Sequence, residues 1–499
     1  MTASRKQNAG LRNWSPILPA FLSSLAILSA GCAGSQAVRK PAETVARCRG
    51  TLGIEAGSIT RDLRKRLALP AGASGAVVVE VLPGGPGAAA GIRKDDLVEE
   101  IAETRISDEC GFIEAANGRA CDPVRVTVRR AGKPIVATLV PVAEEPFFES
   151  ACRAGIASGC FRQAWTLKSR GGSRERALEL YEAACRTGSA EACAYGGLIL
   201  SDVAARSHEA PPMLARSCDL GSGAGCAHLG FLHATGKIVA RDDRRATSFY
   251  VRACDLGDAR GCYNVGLMAE DGRGMHADLS LAVARYREAC ESGSSTACTN
   301  LGFLHENGRG VAKDPARALT LYQRGCAGTR CQPSNLGGCV NAGRAYRDGI
   351  GTEKKPARAA QIFEEACHRH AEPDDVGFAG NSSRACSLLG GLHLAGDGVA
   401  KDFDRGRELS EMGCARGDAF GCFNAAVVFT SGLGVSPDSV KAAAFLDRSC
   451  GAGDAEGCHD LGRAYEKGAG VPRDRARAAA LLRKSCGLGF QAACPSKKK

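Results

Sequence analysis

The chain has 499 residues, 63 of them glycine and 25 cysteine, with 5% aromatic residues and a formal charge of +11. That length exceeds what one compact core supports, so several domains or an extended array are expected, and the scarcity of aromatic side chains argues against a β-sandwich. Without Arg5, Lys6 and Arg12 the charge falls to +8, too dilute for a nucleic-acid footprint, and so many cysteines exclude a reducing compartment.

Residues 1–31 read as an export signal, with Arg5, Lys6 and Arg12 as its basic start and an apolar run at 17–30 too short and interrupted to span a bilayer. The run ends in Leu28, Ser29, Ala30, Gly31 and Cys32, which resembles a bacterial lipobox, although Ser29 stands where leucine is usual. The resemblance implies lipid attachment at Cys32. Ala33 in place of aspartate further implies an outer-membrane lipoprotein facing the periplasm. The alternative is an ordinary cleaved signal. Residues 32–47 make a short polar linker.

Residues 48–143 lack the period found further on. Short apolar runs at 77–82, 97–101, 124–128 and 135–142 alternate with Gly/Pro turns and two short helical stretches, the pattern of a small β-rich unit. The sequences Thr51-Leu52-Gly53-Ile54, Gly75-Ala76-Val77-Val78-Val79, Pro83-Gly84-Gly85-Pro86, Ala90-Gly91-Ile92 and Asp96-Leu97-Val98 resemble an HtrA-like PDZ domain. Asp95 and the Glu103-Thr104 pair depart from that pattern in loops away from the groove. The resemblance implies a peptide-binding groove. Backbone N–H groups at Leu52, Gly53 and Ile54 would meet a terminal carboxylate, and Phe112, Ile113 and Ala116 on the opposite helix would line the side-chain pocket. The plainer reading makes these residues the core of a small β-domain. Of the three cysteines here, Cys110 and Cys121 form the favoured pair and Cys48 is unassigned; no protease-like Gly-Asn-Ser-Gly-Gly accompanies the unit.

From residue 146 to 494 the chain is periodic. Cysteines with seven residues between them recur as Cys152 with Cys160, Cys185 with Cys193, Cys218 with Cys226, Cys254 with Cys262, Cys290 with Cys298, Cys414 with Cys422, Cys450 with Cys458, and Cys486 with Cys494. Cys326 with Cys339 and Cys367 with Cys386 are the same joint with insertions of five and eleven residues. Removing the insertions leaves steps of 33 or 36 residues, the signature of a stacked helical array. Were each pair on one helix, its Cα atoms would lie roughly 12 Å apart, beyond disulfide reach. Turn residues such as Gly257 and Asp258 separate them instead, so one helix ends and the next begins at each joint, where the two sulfurs can meet. Each bridge would add about 2–3 kcal/mol. Zinc is the competing reading, and two thiolates per joint with no regularly placed histidine fit it poorly. Cys331 has no partner in the scheme.

The clearest unit runs from Cys298 to Cys326. Leu301, Phe303 and Leu304 mark the apolar side of a first helix that ends at Gly308; Asp314 and Pro315 open a second, with Ala318, Leu321 and Tyr322 facing inward. Gly266, Gly302, Gly343, Gly390 and Gly462 recur within first helices, which calls for close approach of the second. The stretch 194–216 is degenerate, with Pro211 and Pro212 where a second helix should begin. With Gly-x-Gly-Val recurring in phase at 308, 396, 432 and 468, this part resembles Sel1-like repeats, in the disulfide-rich subgroup typified by Helicobacter cysteine-rich proteins. The expected fold class is therefore multi-domain: a small β-rich PDZ domain, then an all-α solenoid of about nine Sel1-like hairpins, then a basic tail at 495–499. No cofactor, catalytic residue or metal site is assigned, the sequence from Cys367 to His370 being the single weak metal candidate. The expected function is a lipid-anchored envelope scaffold binding proteins or C-terminal peptides. The alternative is β-lactam binding or weak β-lactamase activity, a label attached to disulfide-rich relatives; the serine β-lactamase pattern occurs at Ser496 to Lys499, in the tail.

Overall fold

A computed structural model describes residues 50–494, apart from 58, 60, 71–72, 108, 117–121, 328–334 and 369–378. Cys32, Cys48, Cys121 and Cys331 lie outside the described residues, as do the side chains of Cys110 and Ile113. The chain divides into two compact units, the first ending at Ser292 and the second starting at Gly293.

The first unit begins with a small antiparallel β region. Its main sheet has the order β2 (Ile54–Gly57), β3 (Ala76–Val81), β4 (Leu97–Ile101), β6 (Val124–Arg130), β7 (Lys133–Leu139), with β5 (Thr104–Arg105) added to β4. β1 (Gly50–Thr51) pairs separately with β8 (Val142–Ala143). Period-two alternation sends Val124, Val126 and Val128 of β6 into the core and Arg125 outward. Three short helices complete this region: α1 (Arg61–Arg66), α2 (Pro86–Ala89) and α3 (Glu109–Ala116). Asp96 is buried, and Arg130 holds it through two hydrogen bonds of 2.7 Å, so the charge enters the interior paired.

Helices follow without a break. α4 (Glu144–Arg153) precedes four hairpins: α5 (Ala157–Ser169) with α6 (Arg174–Arg186), α7 (Ala190–Asp202) with α8 (Ala210–Asp219), α9 (Gly223–Thr235) with α10 (Asp243–Asp255), and α11 (Ala259–Asp271) with α12 (Leu279–Glu291). The second unit holds five more. They are α13 (Ser295–Asn307) with α14 (Pro315–Ala327), α15 (Leu336–Asp348) with α16 (Pro356–His368), α17 (Ala379–Ala395) with α18 (Phe403–Ala415), α19 (Ala419–Ser431) with α20 (Ser439–Gly451), and α21 (Ala455–Lys467) with α22 (Arg475–Gly487). This is a helical-hairpin solenoid behind a small β region.

The local chemistry repeats with the elements. Asp258, Ser294, Asn335, Asp418 and Asp454 cap first helices, while Asp242, Asp278, Asp402, Asp438 and Asp474 cap second helices. Within a hairpin, the turn is closed by one backbone bond, as from the Asp314 N–H to the His305 carbonyl at 2.8 Å and from Asp278 to Ala269 at 2.8 Å.

The joints between helices are covalent. Disulfides link Cys152 to Cys160, Cys185 to Cys193, Cys218 to Cys226, Cys254 to Cys262 and Cys326 to Cys339, with Cα atoms 4.3–4.7 Å apart. Further along they link Cys367 to Cys386, Cys414 to Cys422, Cys450 to Cys458 and Cys486 to Cys494, at 4.4–4.8 Å. Cys290 and Cys298 each take part in a disulfide as well. Cys160, Cys193, Cys226, Cys339, Cys422 and Cys458 each stand fourth in a first helix, so the sulfur sits at the end of its opening turn. The two pairs with insertions keep the separation of the short joints. At the longer of them, Cys386 stands eighth in α17, which begins one turn earlier than its counterparts.

The mid-helix glycines receive the second helix. An added Cβ would lie 2.8 Å from the Tyr250 ring at Gly230, 2.6 Å from Tyr286 at Gly266 and 2.8 Å from Tyr322 at Gly302, and would clash with Phe363 at Gly343. The ring hydroxyls then reach the first helix's own last turn: Tyr286 donates to Glu270 at 3.1 Å and Tyr322 to Glu306 at 2.7 Å. In the Gly-x-Gly motif the two glycines have separate duties. Gly272 caps its helix in the left-handed conformation, whereas Gly274, also at positive φ, leaves no room for a side chain against the Asp243 carbonyl that starts the preceding hairpin's second helix.

One local expectation changes, and two other places show their own detail. Phe303 is half-buried, because it sits beside the inward row formed by Leu301, Gly302, Leu304 and His305. Pro211 and Pro212 stand where the second helix begins, and the degenerate stretch still forms it. They lie in the first turn of α8, where no intrahelical N–H is needed, after a 3-10 turn at Ala204–Glu209. The last joint opens no new helix: Cys494 follows a single 3-10 turn at Gln491–Ala493, and its bridge to Cys486 ties that turn back to α22.

Gly302→Ala should lower stability by about 1–3 kcal/mol, since either the Tyr322 ring or the backbone must shift. Gly451→Ala should be neutral or stabilising by up to about 1 kcal/mol, because an added Cβ there meets nothing within 4 Å. Urea unfolding followed by circular dichroism compares the two.

Candidate functional site

The loop at 52–54 is held on both sides. Gly53 takes φ +65°, its N–H donates to the Thr51 hydroxyl at 3.2 Å and its carbonyl accepts from the Leu82 N–H at 2.9 Å. The Leu52 carbonyl accepts from the Gly87 N–H at 2.9 Å, and a Cβ on Gly53 would sit 3.2 Å from both Gly85 and Pro86. β2 leaves this loop and, among the described residues, pairs on one side with β3. Leu52, Ile54 and Phe112 fall in one buried cluster with Ala115, and Ala116 packs on its margin. The structure therefore brings five of the six proposed groove residues to one place. Leu52, Ile54 and Phe112 are 3–6% exposed, so a ligand side chain could enter beside them only if α3 moved back from β2.

Two other groupings have less to offer chemically. Cys367 is in a disulfide and so has no thiolate for a metal, which removes the anchor of the 367–370 cluster; His370 lies outside the described residues. Cys254 and Cys262 lie close to Glu288 but are likewise bonded to each other. Ser201 lies 3.3 Å from His228 Nε2, a pair not foreseen from the sequence. The Ser201 hydroxyl donates to the Gly197 carbonyl at 2.8 Å, which leaves it an acceptor toward His228, the reverse of the polarity that activates a serine. Burial, helped by Arg260, pushes the His228 pKa down to about 4, as fits a neutral ring in the helix interior.

The second unit carries an open groove of about 930 Å³ beside α18 and α20. Phe429 and Phe445 stack there with centroids 5.7 Å apart, and Lys441 lies 5.2 Å over the Phe429 ring. Arg407 and Glu411 also line it.

A solenoid of capped, disulfide-joined helical hairpins defines the class of protein. The Sel1 repeat model matches residues 169–189, 223–258, 259–294, 295–328, 337–369, 383–418, 419–454 and 455–490, more than half of the chain. The chain belongs to the Sel1 repeat family, whose members mediate protein–protein interactions on a scaffold fold. No curated protein matches it. Among solved structures, a Sel1 repeat protein from Oxalobacter formigenes is 20% identical over 66% of this chain and 91% of its own, with a TM-score of 0.46. Cysteine-rich protein B of Helicobacter pylori is 31% identical over 26% of this chain and 97% of its own, with a TM-score of 0.23. The HtrA-type protease AlgW is 28% identical over 19% of this chain and 29% of its own, with a TM-score of 0.18. These superpositions are loose, and the family assignment rests on the repeats.

On the other face of β2, Glu55 lies directly opposite Glu80 of β3. The Ser158 hydroxyl of α5 donates to Glu80 at 2.9 Å. Crowding between sheet and helix raises the Glu80 pKa, and the carboxylates of Glu55 and Glu191 push the same way, against the pull of Ser158 and Arg162. No sequence signal pointed to these residues, because Ser158 is 78 positions from Glu80 and no repeat connects the two. A carboxyl whose folded pKa is raised contributes most when protonated, and that contribution is lost as pH rises through the folded value. Glu80→Gln should therefore raise the unfolding temperature at pH 7 and have little effect near pH 4, where both forms are neutral; calorimetric scans at the two pH values check this.

Proposed function

We propose that this Sel1-repeat protein is a lipid-anchored envelope scaffold that captures C-terminal peptides along the β2 edge and a protein partner along its repeats. The observation that carries the peptide reading is the pairing of an edge strand with a braced, glycine-containing loop at 52–54 and an apolar wall at α3. An extended ligand adds its backbone to such an edge, and its terminal carboxylate accepts from N–H groups of the loop. The apolar character of Leu52, Ile54 and Phe112 favours an apolar last residue, since a charged one would lose its water without gaining a partner.

Export is supported by the disulfides, which need an oxidising compartment, and by the lipobox-like run before Cys32. Among the described residues no helix is long and apolar enough to cross a membrane. The repeats offer surface for a protein partner, the Phe429 groove included.

Calorimetry on the whole exported chain should show binding of a free-acid peptide ending in valine and a loss of at least about tenfold on amidation, the worth of one charge-assisted hydrogen bond. Equal affinity for both peptides would reject the groove. Cys32→Ser should move the protein from the membrane fraction to the soluble fraction and abolish palmitate labelling.

A further inference from the structure

The β region and the first hairpin are joined with no spacer. β8 ends at Ala143, which is also the residue flanking the start of α4, and β8 pairs with β1, Gly50 opposite Ala143 and Thr51 opposite Val142. The strand that leads into the 52–54 loop is thus hydrogen-bonded to the residues that open the solenoid. Phe147 of α4 continues the contact. A Cβ on Gly85 would lie 3.0 Å from the Phe147 ring and 3.3 Å from the Gly53 Cα, so ring, turn and loop are stacked in series.

A second contact grips the groove strand from behind. Along β2, Ile54 belongs to the core cluster and Ala56 packs on it, which turns Glu55 to the other face. There Arg162 of α5 donates from Nε to Glu55 at 2.7 Å, the carboxylate being 16% exposed. One helical turn earlier Ser158 donates to Glu80, the cross-strand neighbour of Glu55. Two like charges facing each other across a strand pair repel. Here α5 supplies a cation to one and a hydroxyl donor to the other, at a spacing of four residues that puts both on one helix face.

We propose that Arg162 and Ser158 of the first hairpin are positioning residues for the β2 groove, so that peptide capture is energetically coupled to the solenoid. The inference rests on the peptide reading for its ligand, a C-terminal peptide with a free carboxylate, but its mechanical half does not. α5 touches the strand on the face away from the ligand and acts by fixing where the edge N–H and C=O groups stand.

The test uses the full chain with four sequences: parent, Arg162→Ala, the exchange Glu55→Arg with Arg162→Glu, and Arg176→Ala as a control at an exposed ion pair on α6. Hydrogen exchange at Glu55, Ala56 and Gly57 and affinity for the valine-terminated peptide are read together. Arg162→Ala should speed exchange at these amides and weaken the peptide about tenfold; the exchange of charges should restore both to within about threefold, and the control should match the parent. Unchanged β2 exchange in Arg162→Ala, or no recovery in the charge exchange, overturns the coupling. If the parent binds no peptide, the groove reading falls alone: exchange that is lost in Arg162→Ala and recovered in the charge exchange still sustains the positioning role.

Discussion

The disulfide at each turn between hairpins is the constraint on which the repeat depends. It fixes the end of one second helix within 5 Å of the start of the next first helix, as the Cα separations of 4.7 Å for Cys185 with Cys193 and 4.6 Å for Cys218 with Cys226 show. Once that distance is set, the chain between the cysteines has room for a tight turn, a left-handed glycine such as Gly257, and a capping residue such as Asp258. A short array of small-residue helices has little core per hairpin, and covalent joints reduce the freedom of the unfolded chain accordingly.

Within a hairpin the corresponding constraint is steric. A ring on the second helix occupies the place that a side chain would take at Gly230, Gly266, Gly302 or Gly343. The helices come close enough for Tyr286 and Tyr322 to reach Glu270 and Glu306, so each buried phenol gains an acceptor. Where the ring gives way to Ser410, the Gly390 contact is kept by a hydroxyl that back-bonds to the Gly406 carbonyl at 2.7 Å. Polar groups at these positions are tolerated because their partners lie within the same hairpin. The outer surface is then free to vary between repeats, as a binding scaffold requires.

The β region depends on the solenoid in a way its own strands do not reveal. Glu55 and Glu80 would oppose each other on a bare sheet, and α5 makes the arrangement acceptable. Strand β2 thus has Ile54 in the core on one face and the first hairpin on the other, and among the described residues it pairs on one side, with β3.

The hairpins and their joints were legible in the amino-acid order, because each depends on residues close together along the chain. Cysteine spacing, mid-helix glycines and Asp or Ser before most of the hairpin helices act over short stretches of chain, so they repeat visibly at 33 or 36 residues once the two insertions are set aside. The sequence also singled out Leu52, Gly53, Ile54, Phe112 and Ala116, which the structure brings to one place. Tertiary structure alone decided what lies against them. The second glycine of Gly-x-Gly answers to a carbonyl about 30 residues away, as Gly274 does to Asp243, and the repeat pattern marks the glycine without naming its neighbour. Arg162 and Ser158 look like ordinary surface residues of an amphipathic helix until the sheet is set beside them. Their roles arise from contacts across 78 and 107 positions, where no periodicity connects the partners and only the packing of α5 on β2 and β3 brings them within hydrogen-bond reach.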